Sequence, residues 1–306
     1  MTHHFLQGGT AVITGAGSGF GLELARLAAQ HRMRLVLVDV QEDALARAAD
    51  ELQSQGAEVL AQRVNVAHAR DMEALGHHTL QRFGAPTLVF NNAGVGAGGL
   101  IWESTPQDWE WVLGVNLMGV VHGVRVFTPM MLEAARRDPH YRGHVVNTAS
   151  MAGLLNAPNM GVYNVSKHAV VSLSETLYQD LSLVTEQVHA HVLCPYFVPT
   201  GISQSHRNRP ADLSQVGRKP TVSQRVGQAM SDKAVGSGKI TAAQVARLVM
   251  EAVQARQFYI YSHPKSLGGV QTRLEDLITA RNPTDPFQDR PELRQQLRAA
   301  LAMDPP

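Results

Sequence analysis

The chain has 306 residues, of which 44% are hydrophobic and 17% are charged, so it can bury a sizeable core and is not disordered. Its 27 basic and 26 acidic residues leave a net charge of +1, which offers no electrostatic surface for nucleic acid. A single cysteine, Cys194, excludes an internal disulfide and fits a reducing compartment. We find neither a signal-peptide pattern nor an apolar run of about 20 residues, so we expect a cytoplasmic protein with no membrane partner.

Short aliphatic runs alternate with amphipathic stretches over the first two thirds of the chain. In chain order, the predicted strands are 10–14, 34–39, 58–64, 87–91, 144–149 and 188–194. The helices predicted between or after them are 20–31, 42–55, 70–83, 107–137 and 162–184. This alternation predicts βαβ units with right-handed crossovers, and the apolar strands predict a sheet that is covered on both faces. The predicted fold class is α/β, with a Rossmann-type doubly wound parallel sheet and helices on both faces.

The composition changes after residue 200. Residues 201–238 are polar and rich in Ser, Gln, Arg, Pro and Gly, which predicts a long loop or lid with one short helix. Thr241 is a candidate N-cap for a helix through about Arg256, and residues 257–262 are predicted to form the last strand. Basic residues in the lid could favour an anionic substrate, although a solvated face is the simpler interpretation.

The end of the chain predicts a helical extension. Residues 263–306 have apolar residues at helical spacing, interrupted by prolines, and a closing helix is predicted to start at Pro291. We therefore expect one domain over residues 1–262, and a C-terminal helical extension that packs on the core or on a partner subunit.

The first predicted strand runs into a glycine-rich turn, 14-TGAGSGFG-21, at the start of a helix. Glycine permits a tight turn and lets the backbone approach a pyrophosphate, whose charge the helix N-terminus stabilises. Gly15, Gly19 and Gly21 therefore predict a dinucleotide-binding turn, and a purely structural turn with positive φ is the alternative. A Walker-type phosphate loop is disfavoured because no Lys-Ser/Thr pair follows the last glycine.

Asp39 ends the second predicted strand, about 20 residues after the glycine turn. An acid there is expected to accept hydrogen bonds from the adenosine ribose and to repel the extra phosphate of NADP. Neither Ser18 in the turn nor Val40 after the acid supplies the usual cation for that phosphate. We therefore expect NAD as the cofactor, with NADP less favoured. A solvated strand end or the N-cap region of the next helix is the alternative for Asp39.

Tyr163 and Lys167 are four residues apart in a predicted helix, so both side chains leave the same face. An ammonium group beside a phenol favours the phenolate, which allows a group with an ordinary pKa near ~10 to act at neutral pH. The spacing alone carries little information, because it arises by chance in many helices. Its meaning depends on the other features of the chain.

Four features stand in order: the glycine turn, the stretch 91-NNAG-94, Ser150, and the Tyr-Lys pair. Together they resemble the short-chain dehydrogenase/reductase family, and the resemblance covers about residues 8–262. Ser150 precedes Tyr163 by thirteen positions, which is the family's spacing. The joint pattern is specific although each part is weak. It implies an alcohol dehydrogenase or ketoreductase that uses a nicotinamide cofactor.

Other segments match the family pattern with two departures. Asn116, in 115-VNLMG-119, matches the family's further catalytic asparagine, and 195-PYFVPT-200 resembles the stretch that faces the nicotinamide. The usual glycine of that stretch is Tyr196, which would bring an aromatic ring close to the nicotinamide or the substrate. Asn65 replaces a more usual aspartate near the adenine, and an amide can make similar hydrogen bonds.

The resemblance implies a role for each of five residues. Tyr163 would be the general base in oxidation and the general acid in reduction, with its pKa lowered by Lys167 and by the cationic nicotinamide. Lys167 would also bind the nicotinamide ribose. Ser150 would donate to the substrate oxygen and stabilise negative charge on it. Asn116 would bend its helix and hold a water that relays protons, and Asn92 would brace the sheet against the cofactor.

The resemblance thus assigns residues to three overlapping groups. The implied catalytic residues are Asn116, Ser150, Tyr163 and Lys167. The expected cofactor contacts are Gly15, Ser18, Gly19, Phe20, Gly21, Asp39, Val40, Asn65, Val66, Asn92, Ala93, Gly94, Tyr163, Lys167, Pro195, Val198 and Thr200. The expected substrate contacts are Ser150, Met151, Ala152, Asn156, Met160, Tyr163 and Tyr196. Asn159 is a further candidate for orienting the substrate.

The mostly apolar segment 151–160 predicts a bulky, hydrophobic secondary alcohol or ketone as the small-molecule substrate. Family members are usually homodimers or homotetramers, which implies the same here. The alternatives are an NADP-preferring carbonyl reductase, a non-catalytic nucleotide sensor, and a lyase or dehalogenase on the same scaffold. A Ser-His-Asp hydrolase is disfavoured because the Gly-x-Ser-x-Gly elbow is absent. No metal is expected, because His189 and His191 lack an identifiable third ligand.

Overall fold

A computed structural model describes residues 6–214 and 217–302. In that part of the chain, seven strands form one parallel sheet in the order β3-β2-β1-β4-β5-β6-β7. The strands are β1 Thr10–Thr14, β2 Arg34–Asp39, β3 Val59–Arg63, β4 Leu88–Asn91, β5 Gly143–Thr148, β6 Val188–Cys194 and β7 Tyr259–Tyr261. The chain runs outward from β1 to β3 and then resumes on the other side of β1 with β4. This reversal opens a crevice at the carboxyl ends of β1 and β4.

Helices cover both faces of the sheet, and the predicted fold class is confirmed. The helices are α1 Gly19–Gln30, α2 Glu42–Ser54, α3 Ala69–Phe83, α4 Pro106–Leu113, α5 Gly119–Arg137, α6 Gly161–Val184, α7 Val222–Gly236, α8 Ala242–Gln254, α9 Gly268–Ile278 and α10 Pro291–Leu301. Successive residues of β1 serve opposite cores: Ile13 packs with α1 and α8, and Val12 packs with α3 and α5. Both side chains are fully buried, as the period of two in a strand requires.

The predicted helix 107–137 is two α-helices joined by a π-helical turn, Gly114–Met118. Helix α5 lies so close to the sheet that a Cβ at Gly123 would fall 1.8 Å from the side-chain oxygen of Asn91. The combined stretch Pro106–Arg137 contains an 18-residue window with a mean hydropathy of 1.3, so it is long and apolar enough to cross a membrane by those criteria. Our sequence search missed this stretch. Its apolar window is 56% buried inside the protein, which is also the property of a core helix.

The predicted lid is more helical than the sequence indicated. Residues 201–208 and 211–213 form short 3-10 helices, and α7 that follows has 15 residues. The prediction of one short helix was wrong because α7 has little apolar periodicity, with only Ser223 and Val235 buried. Its start is set instead by a capping box, in which Thr221 and Gln224 satisfy each other's backbone N–H groups. Residues 215 and 216 of the lid lie outside the described residues.

The C-terminal extension packs within its own chain. Helix α10 lies against α7 of the lid, and Leu297 is buried there. The connection between α9 and α10 is held by the buried carboxylate of Asp276, which accepts from the backbone N–H of Thr284 at 2.8 Å and from its hydroxyl at 3.1 Å. The predicted capping of α8 by Thr241 is confirmed. The domain boundary at residue 262 stays a prediction.

Three histidines meet at the amino ends of β5 and β6, on the edge of the sheet opposite the crevice. Nδ1 of His191 donates to the carbonyl of Gln257 at 2.7 Å, so its Nε2 accepts from Nδ1 of His144 at 3.0 Å. The ring of His189 lies 5.3 Å from that of His144. His144 is the third imidazole that the sequence did not reveal. Among the described residues, however, no such group is arranged to hold a metal ion.

Burial of this cluster predicts a loss of stability in mild acid. Burial lowers the pKa of His191 and that of His189 from 6.5 to about 4, and it lowers the pKa of His144 well below 6.5. As the pH falls below 6.5, the unfolded chain binds protons that the folded chain does not, so the free energy of unfolding decreases down to about pH 4. His191 alone accounts for a loss of about 3 kcal/mol over this range.

Urea unfolding at pH 7.5 and pH 5 checks this expectation. His191→Gln should lower the stability at pH 7.5 but reduce the difference between the two pH values. The matched control is His77→Gln on the surface of α3, which should leave the difference unchanged. Equal pH dependence in the wild type and in H191Q would contradict the assignment.

Candidate active site

A cavity of about 1540 Å³ opens at the carboxyl edge of the sheet, beyond the ends of β1 and β4. It gathers almost all the site residues that the sequence predicts. Of the predicted residues, only Gly21 and Asn116 do not line it. The cavity also extends along the lid and the C-terminal extension, which the sequence analysis did not connect with the substrate.

The glycine turn presents bare backbone to this cavity. Gly15 and Gly19 have φ values of +68° and +56°, a conformation that favours glycine, and both line the cavity. Gly21 lies beneath them, and a Cβ there would be 2.0 Å from the carbonyl oxygen of Gly15. Gly21 therefore allows the helix to pack against the turn rather than facing the cavity. The exposed N-terminal backbone of α1 fits a pyrophosphate.

Asp39 lies beside the glycine turn and is held by two backbone donors. One carboxylate oxygen accepts from the N–H of Gly17 and the other from the N–H of Gln41, each at 2.9 Å. The residue is only 8% exposed, yet it lines the cavity together with Val40. The carboxylate is thus fixed at the place where the ribose of an adenosine would lie.

Asn92 ties three strands together below the crevice. Its side-chain N–H donates to the carbonyl of Thr14 at 2.9 Å, and its backbone N–H donates to the Thr14 hydroxyl at 2.9 Å. The hydroxyl of Thr148, at the end of β5, donates to the Asn92 side-chain oxygen at 3.4 Å. This geometry fits the expected brace between the sheet and a cofactor.

Ser150, Tyr163 and Lys167 converge on the cavity from β5 and α6. The Lys167 ammonium is buried, donates to the carbonyl of Thr148 at 2.8 Å and lies 5.8 Å from the centre of the Tyr163 ring. The hydroxyl of Ser150 is close enough to the phenol to act on its pKa, and it accepts from the backbone N–H of Ala152 at 3.1 Å. A hydroxyl, a phenol and an amine therefore face one space.

Asn116 lies behind these groups, in the π-helical turn. Its side-chain oxygen accepts from the N–H of Val95 at 2.8 Å, and its side-chain N–H group donates to the carbonyl of Val95 at 3.0 Å and to the Ser166 hydroxyl at 3.1 Å. The expected local distortion of the helix is present. The amide is fully used within the protein, and the water relay stays a prediction.

The pKa of Tyr163 is shifted upward, whereas we expected it to be lowered. Burial raises the pKa of the phenol above 10, while the nearby Ser150 hydroxyl acts to lower it. Burial also lowers the pKa of Lys167 to about 8, against a smaller opposite effect of Cys194. The protein groups alone do not favour the phenolate, because the buried amine is directed at the Thr148 carbonyl. The lowering expected from a cationic nicotinamide stays a prediction.

The cavity is also lined by Met151, Ala152, Asn156, Met160 and Tyr196, and their contact with a substrate stays a prediction. The ring of Tyr196 is 39% exposed and lies 5.9 Å from the ring of His263. Asn159 also lines the cavity, and its side-chain oxygen has no hydrogen-bond partner among the described residues, so its role in orienting a substrate stays a prediction.

The side-chain N–H of Asn159 anchors the lid. The residue is 6% exposed and adopts a φ of +64°, and its amide donates to the carbonyl of Ser223 at the start of α7. The Ser223 hydroxyl accepts from the N–H of Leu100 at 2.9 Å and donates to Glu103 at 2.6 Å. A second anchor is Ser205, whose hydroxyl accepts from the N–H of Gly96 at 2.7 Å. The lid is therefore fastened to the loop after β4.

The lid arginines are mostly engaged by other groups. Arg209 forms an ion pair with Asp108 at 2.5 Å and lies 5.3 Å from the centre of the Trp111 ring. Although burial acts to raise the pKa of Asp108, its hydrogen bonds to Thr105 and Arg209 lower it. Arg207 donates to the side chain of Gln41 at 3.3 Å, which brings a guanidinium near Asp39. Arg209 is thus paired with an acid, whereas Arg207 lines the cavity, so an anionic substrate site on the lid stays a prediction.

A doubly wound sheet with a glycine turn at its switch point is the architecture of nucleotide-binding proteins. Residues 9–211 match the family described as short chain dehydrogenase. This range exceeds half of the chain, and the protein belongs to the short-chain dehydrogenase family of oxidoreductases.

Two curated relatives and one solved structure illustrate how similar this chain is to known proteins of the family. The CLA biosynthesis dehydrogenase/reductase of Lactiplantibacillus plantarum is 32% identical over 269 residues, which cover 87% of this chain and 92% of the relative. The 1-deoxy-11-beta-hydroxypentalenate dehydrogenase of Streptomyces avermitilis is 32% identical over 273 residues, or 89% of each chain. A short-chain dehydrogenase/reductase from Burkholderia phymatum, solved in complex with NAD, is 52% identical, with a TM-score of 0.89 over 92% of this chain and 98% of that one.

Proposed function

We propose that the protein is an NAD(H)-dependent oxidoreductase that interconverts a bulky, hydrophobic secondary alcohol and its ketone. The observation that carries the proposal is the convergence of Ser150, Tyr163 and Lys167 in the cavity that also contains the glycine turn and Asp39. A structural role for this set is a weaker explanation, because a fold needs no buried amine beside a phenol.

The residues of the cavity fit a dinucleotide. The glycine turn would hold the pyrophosphate, the Asp39 carboxylate would accept from the adenosine ribose, and Lys167 would bind the second ribose. Asn65 and Val66 line the same cavity and would contact the adenine region. When bound, the cofactor supplies a hydride acceptor in alcohol oxidation and a hydride donor in ketone reduction. The complex of the Burkholderia phymatum relative with NAD supports this choice of cofactor.

The chain's own residues would manage the proton and the oxygen. In oxidation, the Tyr163 oxygen would take the hydroxyl proton while the carbinol carbon gives up its hydride, which yields a ketone. Lys167 would stabilise the phenolate, and the Ser150 hydroxyl would donate to the substrate oxygen as it carries partial negative charge. In reduction, the same phenol would return the proton. We keep Asn116 in the proposal as the residue that bends its helix in the π-helical turn and holds a proton-relaying water behind Lys167.

The apolar walls favour a large substrate. Met151, Met160 and Tyr196 border the space in front of Ser150, and the lid and extension enlarge it. Few polar residues interrupt the wall formed by residues 151–160, which suits a hydrophobic alcohol better than a sugar. We also keep as proposals a homodimeric or homotetrameric state, which light scattering would test, and a cytoplasmic location.

An NADP-preferring carbonyl reductase is the second candidate. The observation in its favour is Arg207, whose guanidinium lies within hydrogen-bonding distance of Gln41 and lines the cavity. A cation there could offset the repulsion between Asp39 and a ribose phosphate. The Asp39 carboxylate itself weighs against this candidate.

Absorbance of reduced nicotinamide distinguishes these functions. Purified protein should reduce NAD with bulky aryl or alkyl carbinols, reduce it much more slowly with sugars and polyols, and use NADP less efficiently. Turnover with NADP alone would favour the second candidate. Binding of NAD in calorimetry without turnover of any alcohol or ketone would indicate a sensor and contradict the proposal.

A further inference from the structure

We propose that the substrate carries an anionic group, such as a carboxylate, which is bound by Arg273 of the C-terminal extension with Lys265 beside it. This inference rests on the proposed function, since it names the substrate class of the same cavity. It differs from the sequence-based suggestion of an anion site on the lid, because the cations belong to a different segment.

Helix α9 brings Arg273 to the substrate side of the cavity. It packs against the loop that follows β5, since a Cβ at Gly269 would lie 3.4 Å from the side chain of Leu155. Arg273, Lys265 and Thr272 line the cavity together with Leu155 and with Ala152 and Asn156 of the substrate wall. An extended molecule could therefore reach both Ser150 and α9 within one continuous space.

Arg273 is partly buried, and the described residues offer its guanidinium no carboxylate, carbonyl or hydroxyl partner. Arg273 lies near His168 on α6. Burial lowers the pKa of His168, and the positive charge of Arg273 lowers it further. A cation on this wall is thus adjacent to another basic group rather than to an acid. Guanidinium groups in such surroundings ordinarily bind carboxylate or phosphate oxygens.

The other charges of the cavity are arranged differently. Arg281 is paired with Asp276 at 3.0 Å, and Asp285 is paired with Arg294 at 2.6 Å. Lys233, Asp289 and Arg290 also line the cavity, and all three are exposed at its rim. The paired acids therefore do not neutralise Arg273, and the remaining rim charges are solvated. Lys265 is exposed as well, and its flexible ammonium can supply a second contact to an anion.

The packing of the extension explains why this arginine is held in place. Three residues after Arg273, the Asp276 carboxylate fastens α9 to Thr284. This ordering limits the movement of α9, so binding an anion there requires little further immobilisation of the protein. A neutral, purely apolar substrate would leave the partly buried guanidinium without a carboxylate partner.

Matched acids and esters test the proposal. The probes are oxohexanoate, oxooctanoate and oxodecanoate, each with the ketone next to the terminal methyl group, and the methyl ester of each. One chain length should place the carboxylate at Arg273. For that length we expect the acid to exceed its ester in kcat/KM by roughly tenfold to a hundredfold in the wild type. Arg273→Gln should raise the KM of the acid, leave its kcat unchanged, and leave the ester unaffected.

Two further variants separate recognition from structure. Arg273→Lys keeps the positive charge and should restore part of the preference for the acid, whereas Arg247→Gln on the exposed face of α8 should change nothing. An equal loss for acid and ester in R273Q, or no preference for the acid at any length in the wild type, would overturn the anion site.

Failure of the proposed function has a different signature. If neither acids nor esters are turned over, calorimetry of the acids with the NAD complex still decides the present inference. Binding that is lost in R273Q supports the anion site, and equal binding in both proteins rejects it.

Discussion

Tyr163→Phe should lower kcat for alcohol oxidation by about a thousandfold and leave NAD binding unchanged. The substitution removes only the phenolic oxygen, which we propose takes the hydroxyl proton, and it keeps the ring that packs beside Lys167. Burial raises the pKa of this phenol, so its acidity in the complex must come from the neighbouring positive charges. Steady-state kinetics with reduced-nicotinamide absorbance, together with calorimetry of NAD binding, measures both expectations.

The matched control is Tyr178→Phe on the same helix. Tyr178 is 41% exposed, does not line the cavity, and should tolerate loss of its hydroxyl without effect on kcat. Similar activity in Y163F and the wild type would remove Tyr163 from the proton transfer. Parallel losses of NAD affinity and of thermal stability would instead indicate a structural role.

Asp39→Ser should reverse the preference between the two nicotinamide cofactors. Loss of charged hydrogen bonds to the adenosine ribose should reduce kcat/KM for NAD by about a hundredfold, since each such bond contributes about 1.5–3 kcal/mol. Loss of the negative charge should increase kcat/KM for NADP by about tenfold, because the ribose phosphate is no longer repelled. Initial rates over a range of each cofactor, with one saturating alcohol, give both values.

The gain with NADP is the decisive measurement for D39S. Asp39 also accepts from Gly17 and Gln41, so a distorted turn could weaken both cofactors together. A distorted turn could not improve the use of NADP. Asp43→Ser, at an exposed position in the first turn of α2, controls for a general change in surface charge. Equal reductions with NAD and NADP in D39S would contradict the proposed selectivity.

The sheet and the cofactor half of the site were predictable from sequence because their signals are local. Each strand carries its own apolar pattern, and the glycine turn, Asp39 and Asn92 follow strand ends whose order in a parallel sheet is constrained. Ser150 follows β5, and Tyr163 and Lys167 lie on α6, the next α-helix in the chain. Because these two elements are neighbours along the chain, the short sequence spacing is enough to predict that the three side chains lie close together. These features need no knowledge of distant contacts.

The substrate half depends on distant contacts that no local pattern encodes. Asn159 lines the cavity as its sequence context predicts, but its side-chain N–H also holds the carbonyl of Ser223, which lies 64 positions away. Helix α7 begins at a capping box and has no apolar stripe, so the sequence pattern underestimated its length. The position of Arg273 depends on how α9 packs against the rest of the protein. The histidine cluster shows the same limit, because His144 lies on β5, whereas His189 and His191 lie on β6.

The contact between α7 and α10 has a consequence for the cover of the cavity. Leu297 is 8% exposed where α10 meets α7, and separating the two helices would expose it to water at a cost of about 1.5–3 kcal/mol. The extension and the lid therefore stabilise each other, so a substitution that removes the Leu297 side chain should loosen the cover of the cavity as well as the end of the chain.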